Sequence, residues 1–266
     1  MFIGLDIGTS SVKAILLDEN QVLVASATAE LTVGRPHPGW SEQDPESWWT
    51  ACETVLDSLK QQVPSKMAAV RGIGLSGHMH GATLLDADGK PLRPCILWND
   101  GRSAKQCADL EAVEPKFLSL GGNRVMPGFT APKLQWVREN EPEVFAKTAM
   151  VLLPKDYVRF KLTGIYAGDM SDSAGTLWMD VAKRDWSDEL LAATGLNRQN
   201  MPRLVEGSDV SGEVTSDLCA RWGFDKAPVV AGGGGDNAAS ACGVGAVEPG
   251  SGFVSLGTSG VLFVTN

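Results

Sequence analysis

The chain writes one hairpin pattern twice. Residues 6–10 read Asp-Ile-Gly-Thr-Ser and lie between two apolar stretches, Phe2 to Ile7 and Val12 to Leu17. Residues 255–260 read Ser-Leu-Gly-Thr-Ser-Gly and lie between Gly252 to Leu256 and Val261 to Val264. Each predicts a strand, a tight turn and a second strand. A first hairpin at the start and its echo at the end point to one domain followed by the opening hairpin of another. The expected division is 1–245 and 246–266, with the second unit truncated. Coincidence between two short hairpins is the plainer alternative.

Between these ends the pattern is mixed α/β. Val22 to Ala27 extends the first hairpin into an antiparallel meander. Asp44 suits a helix N-cap and Pro45 the first helical position, and Trp48, Cys52, Val55, Leu56 and Leu59 share one helical face. Met67 to Leu75, Thr83 to Asp86 and Pro94 to Trp98 read as strands. The middle of the chain reads as mostly helical, with Ala131 to Glu139, Leu153 to Leu162 and Ser187 to Thr194 the best segments. Pro228 to Ala231 predicts a buried strand ending in four glycines, with a small-residue helix at Ala238 to Cys242.

Composition excludes several classes. With 266 residues, 43% hydrophobic and 21% charged, the chain is of ordinary globular make-up and can bury a sizeable core. A net charge of -9 argues against nucleic acid or an anionic membrane as partner. No apolar run is long enough to span a bilayer, and no signal peptide is evident, so a cytoplasmic location is expected. Five scattered cysteines without a CxxC spacing predict reduced, mostly buried thiols.

Three constellations carry chemistry. In the first, Gly8 permits close backbone approach, Thr9 and Ser10 offer hydroxyls and N–H groups to an anion, and Asp6 is a carboxylate able to hold Mg²⁺. An ordinary hairpin turn is the alternative, and the GxxxxGK[ST] phosphate loop is absent. In the second, Gly232 to Gly235 keep side chains away from Asp236 and Asn237, and Asp236 is either a helix cap or a general base. In the third, His80 in Gly77-His78-Met79-His80-Gly81 is placed to bond a hydroxyl, with Met79 and the face of Trp98 against a carbon skeleton. A polar loop and a core Trp are the alternatives there, and the absence of a third ligand near the histidines speaks against a metal.

Taken in order, these segments resemble the FGGY family of carbohydrate kinases. The likeness spans the chain: FIGLDIGTSSVKAILLD at the start, GWSEQDPESWW at 39–49, SGHMHGATLLD at 76–86, ILWNDGR at 96–102, the stretch 128–140, LLPKDYVRFKLTG at 152–164, SDSAGTLWMDVAKRDW at 171–186, GGGGDNAA at 232–239 and SLGTSG at 255–260. The resemblance implies an actin-like ATPase (ribonuclease H-like) domain, a mixed sheet flanked by helices, with 1–245 the sugar-binding domain and 246–266 the start of an ATP-binding one. It implies ATP-dependent phosphorylation of a ketose, xylulose foremost, with ATP and Mg²⁺ required. By this likeness Asp236 is the catalytic base, Asp6 the Mg²⁺-associated carboxylate, and Met79, His80, Trp98, Asp236 and Asn237 line the sugar pocket. Gly8, Thr9 and Ser10 match one phosphate-facing turn, and Gly257 with Thr258 the other. Met79-His80 stands where glycerol-phosphorylating members carry an Arg-Glu pair, and His78 stands where xylulose-phosphorylating members often carry Gln. The expected partners are a small sugar and ATP, with a homodimer a family-level expectation. Family members run to nearly twice this length, so the chain by itself is expected to transfer phosphate weakly or not at all. A kinase for another ketose or polyol such as ribulose or glycerol, a non-catalytic sugar-binding or regulatory module, and an actin-like ATPase of other function are the competing readings.

Overall fold

The computed structural model describes residues 1–256 and 260–266. The predicted meander forms: β1 (Phe2–Ile7), β2 (Ser11–Leu17) and β3 (Leu23–Glu30) pair antiparallel in sequence order. The third strand runs past Ala27 because Ser11 to Leu16 offer it partners as far as Glu30. Strand alternation sends Ile3, Leu5 and Ile7 to one face, where they are buried. Gly4 and Asp6 lie on the other face.

Helix α1 (Pro45–Gln62) starts as its sequence demands, with the Asp44 side chain accepting from the Glu46 N–H and Pro45 in the first turn. Its apolar face, Trp48, Cys52, Val55, Leu56 and Leu59, is fully buried against the meander. The predicted strand from Met67 to Leu75 is corrected. A short helix α2 (Pro64–Ala68) buries Met67, and strand β4 (Gly72–Gly77) begins later. Pro64 suits a first helical turn, and β4 takes its start from its partner: it pairs parallel with β1 from Phe2↔Gly72 to Ile7↔Gly77.

The middle of the chain mixes helices with short strands. Helices α3 (Thr130–Asn140) and α4 (Pro154–Thr163) match expectation, but strand pairs at 83–85 with 150–152, 167–169 with 203–205, and 179–180 with 185–186 interrupt the helical run. They enclose a second hydrophobic core around Leu134, Trp178 and Leu190, apart from the core of the main sheet.

Strands β5 (Val210–Glu213), β6 (Val229–Ala231) and β7 (Gly234–Gly235) complete a seven-stranded mixed sheet in the order β5-β6-β4-β1-β2-β3, with β7 also on β4. β6 and β7 pair with successive parts of the same edge, at Gly72 and Ile73 and then at Ser76 and Gly77. The chain leaves that edge for two residues, Gly232 and Gly233, and then enters helix α5 (Asp236–Val244). Strands β8 (Gly252–Leu256) and β9 (Gly260–Val264) form a separate antiparallel pair. All five cysteines are free; Cys52, Cys95 and Cys107 are buried, whereas Cys242 is exposed. Among the described residues no helix is long and apolar enough to cross a membrane.

Candidate active site

The site forms where parallel strands end, the usual place for a ligand on an open α/β sheet. Asp6 on β1 is level with Ser76 on β4, and Ser76 with Gly234 on β7. Asp236, the first residue of α5, follows directly beyond that row. Burial, and then the neighbouring Asp6 carboxylate, push the Asp236 carboxyl above the ordinary carboxylate range, against the opposing hydrogen bond from the Asn237 N–H at 2.8 Å. The two acids singled out from the sequence therefore share one locality.

The glycine run is a steric requirement at three of its four positions. A Cβ at Gly232 would run into Glu206 O, and one at Gly233, which has φ +71°, into Leu75 O. A Cβ at Gly235 would lie 2.8 Å from Met79 Cγ. The run thus passes close to Glu206, Leu75 and then Met79 just before Asp236, and Asn237 Nδ2 lies 3.9 Å from Met79 Sδ.

His80 and His78 part company. His78 is buried, its ring edge-on to Trp48 at 5.4 Å, and neither ring nitrogen has a partner among the described residues. Burial, then the Lys133 and His80 charges, pull its pKa down to about 3. The His80 ring bonds through Nδ1 to Gly175 O at 2.9 Å and packs edge-on to Phe129. Burial and Lys133 lower its pKa to about 4, so the ring is neutral at pH 7.

Trp98 and Thr9, assigned separately to sugar and phosphate, are tied together: Trp98 Nε1 donates to Thr9 Oγ1 at 3.0 Å. The Thr9 carbonyl also accepts from Gln43 Nε2 at 2.8 Å. The first turn is closed by the Gly8 N–H bonding Ser11 O at 3.0 Å, and it leaves Ser10 exposed. The Trp98 loop is braced by Asp100, which accepts from the Ser41 N–H and pairs with Arg102, both at 2.6 Å. Gly257 and Thr258 lie outside the described residues.

Two features were not foreseen from the sequence. One is a cleft of about 1050 Å³ along the open sheet face, walled by Gly4, Asp6, Ile15, Gly74, Met170 and Ala238. Of the expected site residues that the structure describes, Asp6 alone lines it; Asp236 and Asn237 lie just past its wall, between Gly234 and Ala238, and Gly8, Thr9, Ser10, Met79, His80 and Trp98 do not line it. The other is a buried charge cluster beneath the glycine run. Lys155 Nζ lies 2.7 Å from Asp156, 2.5 Å from Asp169 and 3.0 Å from Asp172. Arg159 pairs with Asp156 at 2.6 Å and donates to the Gly232 carbonyl. Burial pushes Asp172 up to about 7, with Lys155 opposing and Asp169 and Asp156 adding to the rise. The signal in the sequence was a Lys-Asp pair and an Arg inside the apolar stretch Leu152 to Leu162, since charges on a buried helix face need partners.

The strand ends thus bring together a carboxylate of raised basicity, a second acid close enough for its charge to act on it, and a loop carrying a neutral imidazole. Residues 1–243 match the FGGY family of carbohydrate kinases, N-terminal domain. Over 266 residues the chain is 54% identical to the xylulose kinase of Escherichia coli (strain K12), covering 100% of itself and 54% of that protein. Among solved structures, a xyloylose kinase from Brucella ovis is 59% identical with a TM-score of 0.96, and a xylulose kinase from Rhodospirillum rubrum 34% identical with a TM-score of 0.94. Each alignment covers 98% of this chain and 54% of the other. The chain thus spans about half the length of the relatives it matches, and its fold is the actin-like one expected. The chain belongs to the FGGY family of carbohydrate kinases, in its N-terminal domain.

Proposed function

We propose that this chain supplies the sugar site and the general base of a kinase that transfers the γ-phosphoryl group of ATP to D-xylulose, giving D-xylulose 5-phosphate. The observation that carries the reading is Asp236: half-buried, raised in pKa chiefly by burial, and placed at the ends of the parallel strands where the Asp6 charge also acts on it. As a hydroxyl oxygen of the sugar bonds to the γ-phosphorus, its proton passes to the Asp236 carboxylate. The bond from that phosphorus to its bridging oxygen breaks, and ADP departs. The relatives named as xylulose kinases support the choice of sugar.

Mg²⁺ fits the acids present. Among the described residues no group of three or more His, Cys, Asp or Glu could hold a metal by itself. A site with one or two carboxylates is what Mg²⁺ uses when phosphates and water complete its shell. Asp6 would hold it, and the ion would neutralise charge on the phosphates. The hydroxyls and N–H groups of Thr9 and Ser10 would face the phosphates, with Gly8 shaping the turn that presents them, and Gly257 with Thr258 would form the matching turn. Met79, His80, Trp98 and Asn237 orient the sugar. We also assign residues 1–245 to the sugar-binding domain and 246–266 to the beginning of the ATP-binding one, the exposed pair of strands β8 and β9 supporting that division. The use of ATP suits a cytoplasmic setting.

The test is ATP-dependent phosphorylation of D-xylulose by a protein in which these residues are joined to the second half of a family member. Asp236→Asn is expected to lower kcat by roughly 10²–10⁴-fold while D-xylulose binding persists. Because the carboxyl is raised, the acid limb of the pH–rate profile should lie above that of an ordinary carboxylate and vanish in the variant. An undiminished kcat in Asp236→Asn would remove the base.

A further inference from the structure

We propose that Lys133, together with Thr130, is a positioning residue for His80: by holding the His80 carbonyl they keep its backbone in the left-handed region and its ring on Gly175, so that Nε2 faces the sugar as a hydrogen-bond acceptor. The inference rests on the reading of His80 as a sugar-facing residue and assigns its support.

His80 has φ +68°, one of four non-glycine residues with positive φ among those described. A side chain in that region costs on the order of 1–3 kcal/mol and persists only where the surroundings enforce it. Here the enforcement comes from helix α3. Lys133 Nζ donates to the His80 carbonyl at 2.8 Å, and Thr130 Oγ1 donates to the same oxygen at 3.2 Å. The other bond of Lys133 goes to Gly128 O at 2.6 Å, the carbonyl just ahead of Phe129, whose ring packs on His80.

Lys133 is an unusual group to find there. It is 0% exposed, and among the described residues it pairs with no carboxylate; both its bonds are to main-chain oxygens. Burying an ammonium without a counter-ion is costly, and leucine or methionine would fill the same space without that cost. Burial pulls the amine down to about 7. Charged or neutral, it retains the two N–H donors that the two carbonyls need. What the lysine provides that an apolar residue cannot is the hold on His80 O and Gly128 O.

The ring follows from the backbone. A carbonyl only accepts, so the bond to Gly175 O requires the proton on Nδ1 and leaves the lone pair on Nε2. Gly175 permits the approach: a Cβ there would lie 2.5 Å from His80 Cε1 and 2.6 Å from Nδ1. Were the His80 carbonyl released, its backbone could relax to negative φ, and the ring would leave Gly175 and lose its fixed tautomer.

The experiment uses the 266-residue chain, which has three histidines, and records long-range ¹H–¹⁵N spectra of their side chains, with His80 assigned through His80→Gln. In the parent chain His80 is expected as a single Nδ1–H tautomer. Lys133→Met, measured well below its own melting transition, should show mixed tautomers at His80 and D-xylulose affinity reduced roughly tenfold by calorimetry. Thr130→Val should move both readouts in the same direction by less, and it carries the test if Lys133→Met does not fold. A simple packing role would lower Tm and leave the tautomer alone. The proposal is overturned if a folded variant keeps His80 wholly as Nδ1–H, whatever happens to affinity. If the tautomer shifts but D-xylulose binds neither parent nor variant, the positioning role stands and the sugar reading of His80 fails.

Discussion

The first and last hairpins of this chain share a Gly-Thr-Ser sequence between apolar strands, yet they sit in opposite surroundings. β1 and β2 lie inside a seven-stranded sheet, with β4 on one side and β3 on the other. Their inward residues Ile3, Leu5, Ile7, Val12, Ala14 and Leu16 are each 2% exposed or less. β8 and β9 pair only with each other among the described residues, and Val254, Leu256, Leu262 and Val264 are 57–85% exposed. Phe253 and Phe263 stack across the pair at 5.3 Å, which is what a lone hairpin can do for itself. A two-stranded hairpin is marginal in water without further strands or a helix on its apolar face. The same local pattern thus gives a core element in one place and an uncovered one in the other, and the difference lies in the neighbours.

That comparison can be broken by mutation. The largest effect is expected at Leu16, fully buried under α1: Leu16→Ala should cost about 2–5 kcal/mol in a urea titration. A cost under about 1 kcal/mol would mean that the first hairpin is no better anchored than the last. An intermediate effect is expected at the first turn, where Thr9→Val removes the acceptor of Trp98 Nε1 and should cost about 1 kcal/mol by the same measurement. Since this bond links β1 to the Trp98 loop, Trp98 fluorescence should change as well; an unaltered spectrum and stability would separate the turn from the loop. The smallest effect belongs to Leu262→Ala, 73% exposed, expected within about 0.5 kcal/mol of the parent. A loss comparable to that of Leu16→Ala would show that β8 and β9 are covered in solution.

A second contrast runs through the acids. Asp236 and Asp6 are drawn to one place by strand pairing that no local pattern reveals, since β1, β4 and β7 lie about 70 and then about 160 residues apart in the chain and still align in parallel register. The glycine run announced that something must come close, and the something proved to be Glu206, Leu75 and Met79. The Lys155 cluster shows the reverse case. Its charges were visible in an apolar stretch, but their partners Asp169 and Asp172 come from a separate short strand and helix.

Local forms were legible in the residues alone: the meander with its period of two, α1 with its Asp44 cap and apolar face, and the residues that carry the family likeness. These depend on interactions within a few residues, which spacing records. The residue pattern misplaced the segment Met67 to Leu75, because an apolar run does not say whether a helix or a strand will bury it; pairing with β1 decided that β4 begins at Gly72. Long-range packing fixed the rest: Trp98 bonds Thr9, His78 is interred while His80 takes a left-handed backbone, and the buried Lys133 bonds the His80 carbonyl. Those outcomes arise from contacts between distant segments, where burial removes water as an alternative partner and makes each remaining hydrogen bond decisive.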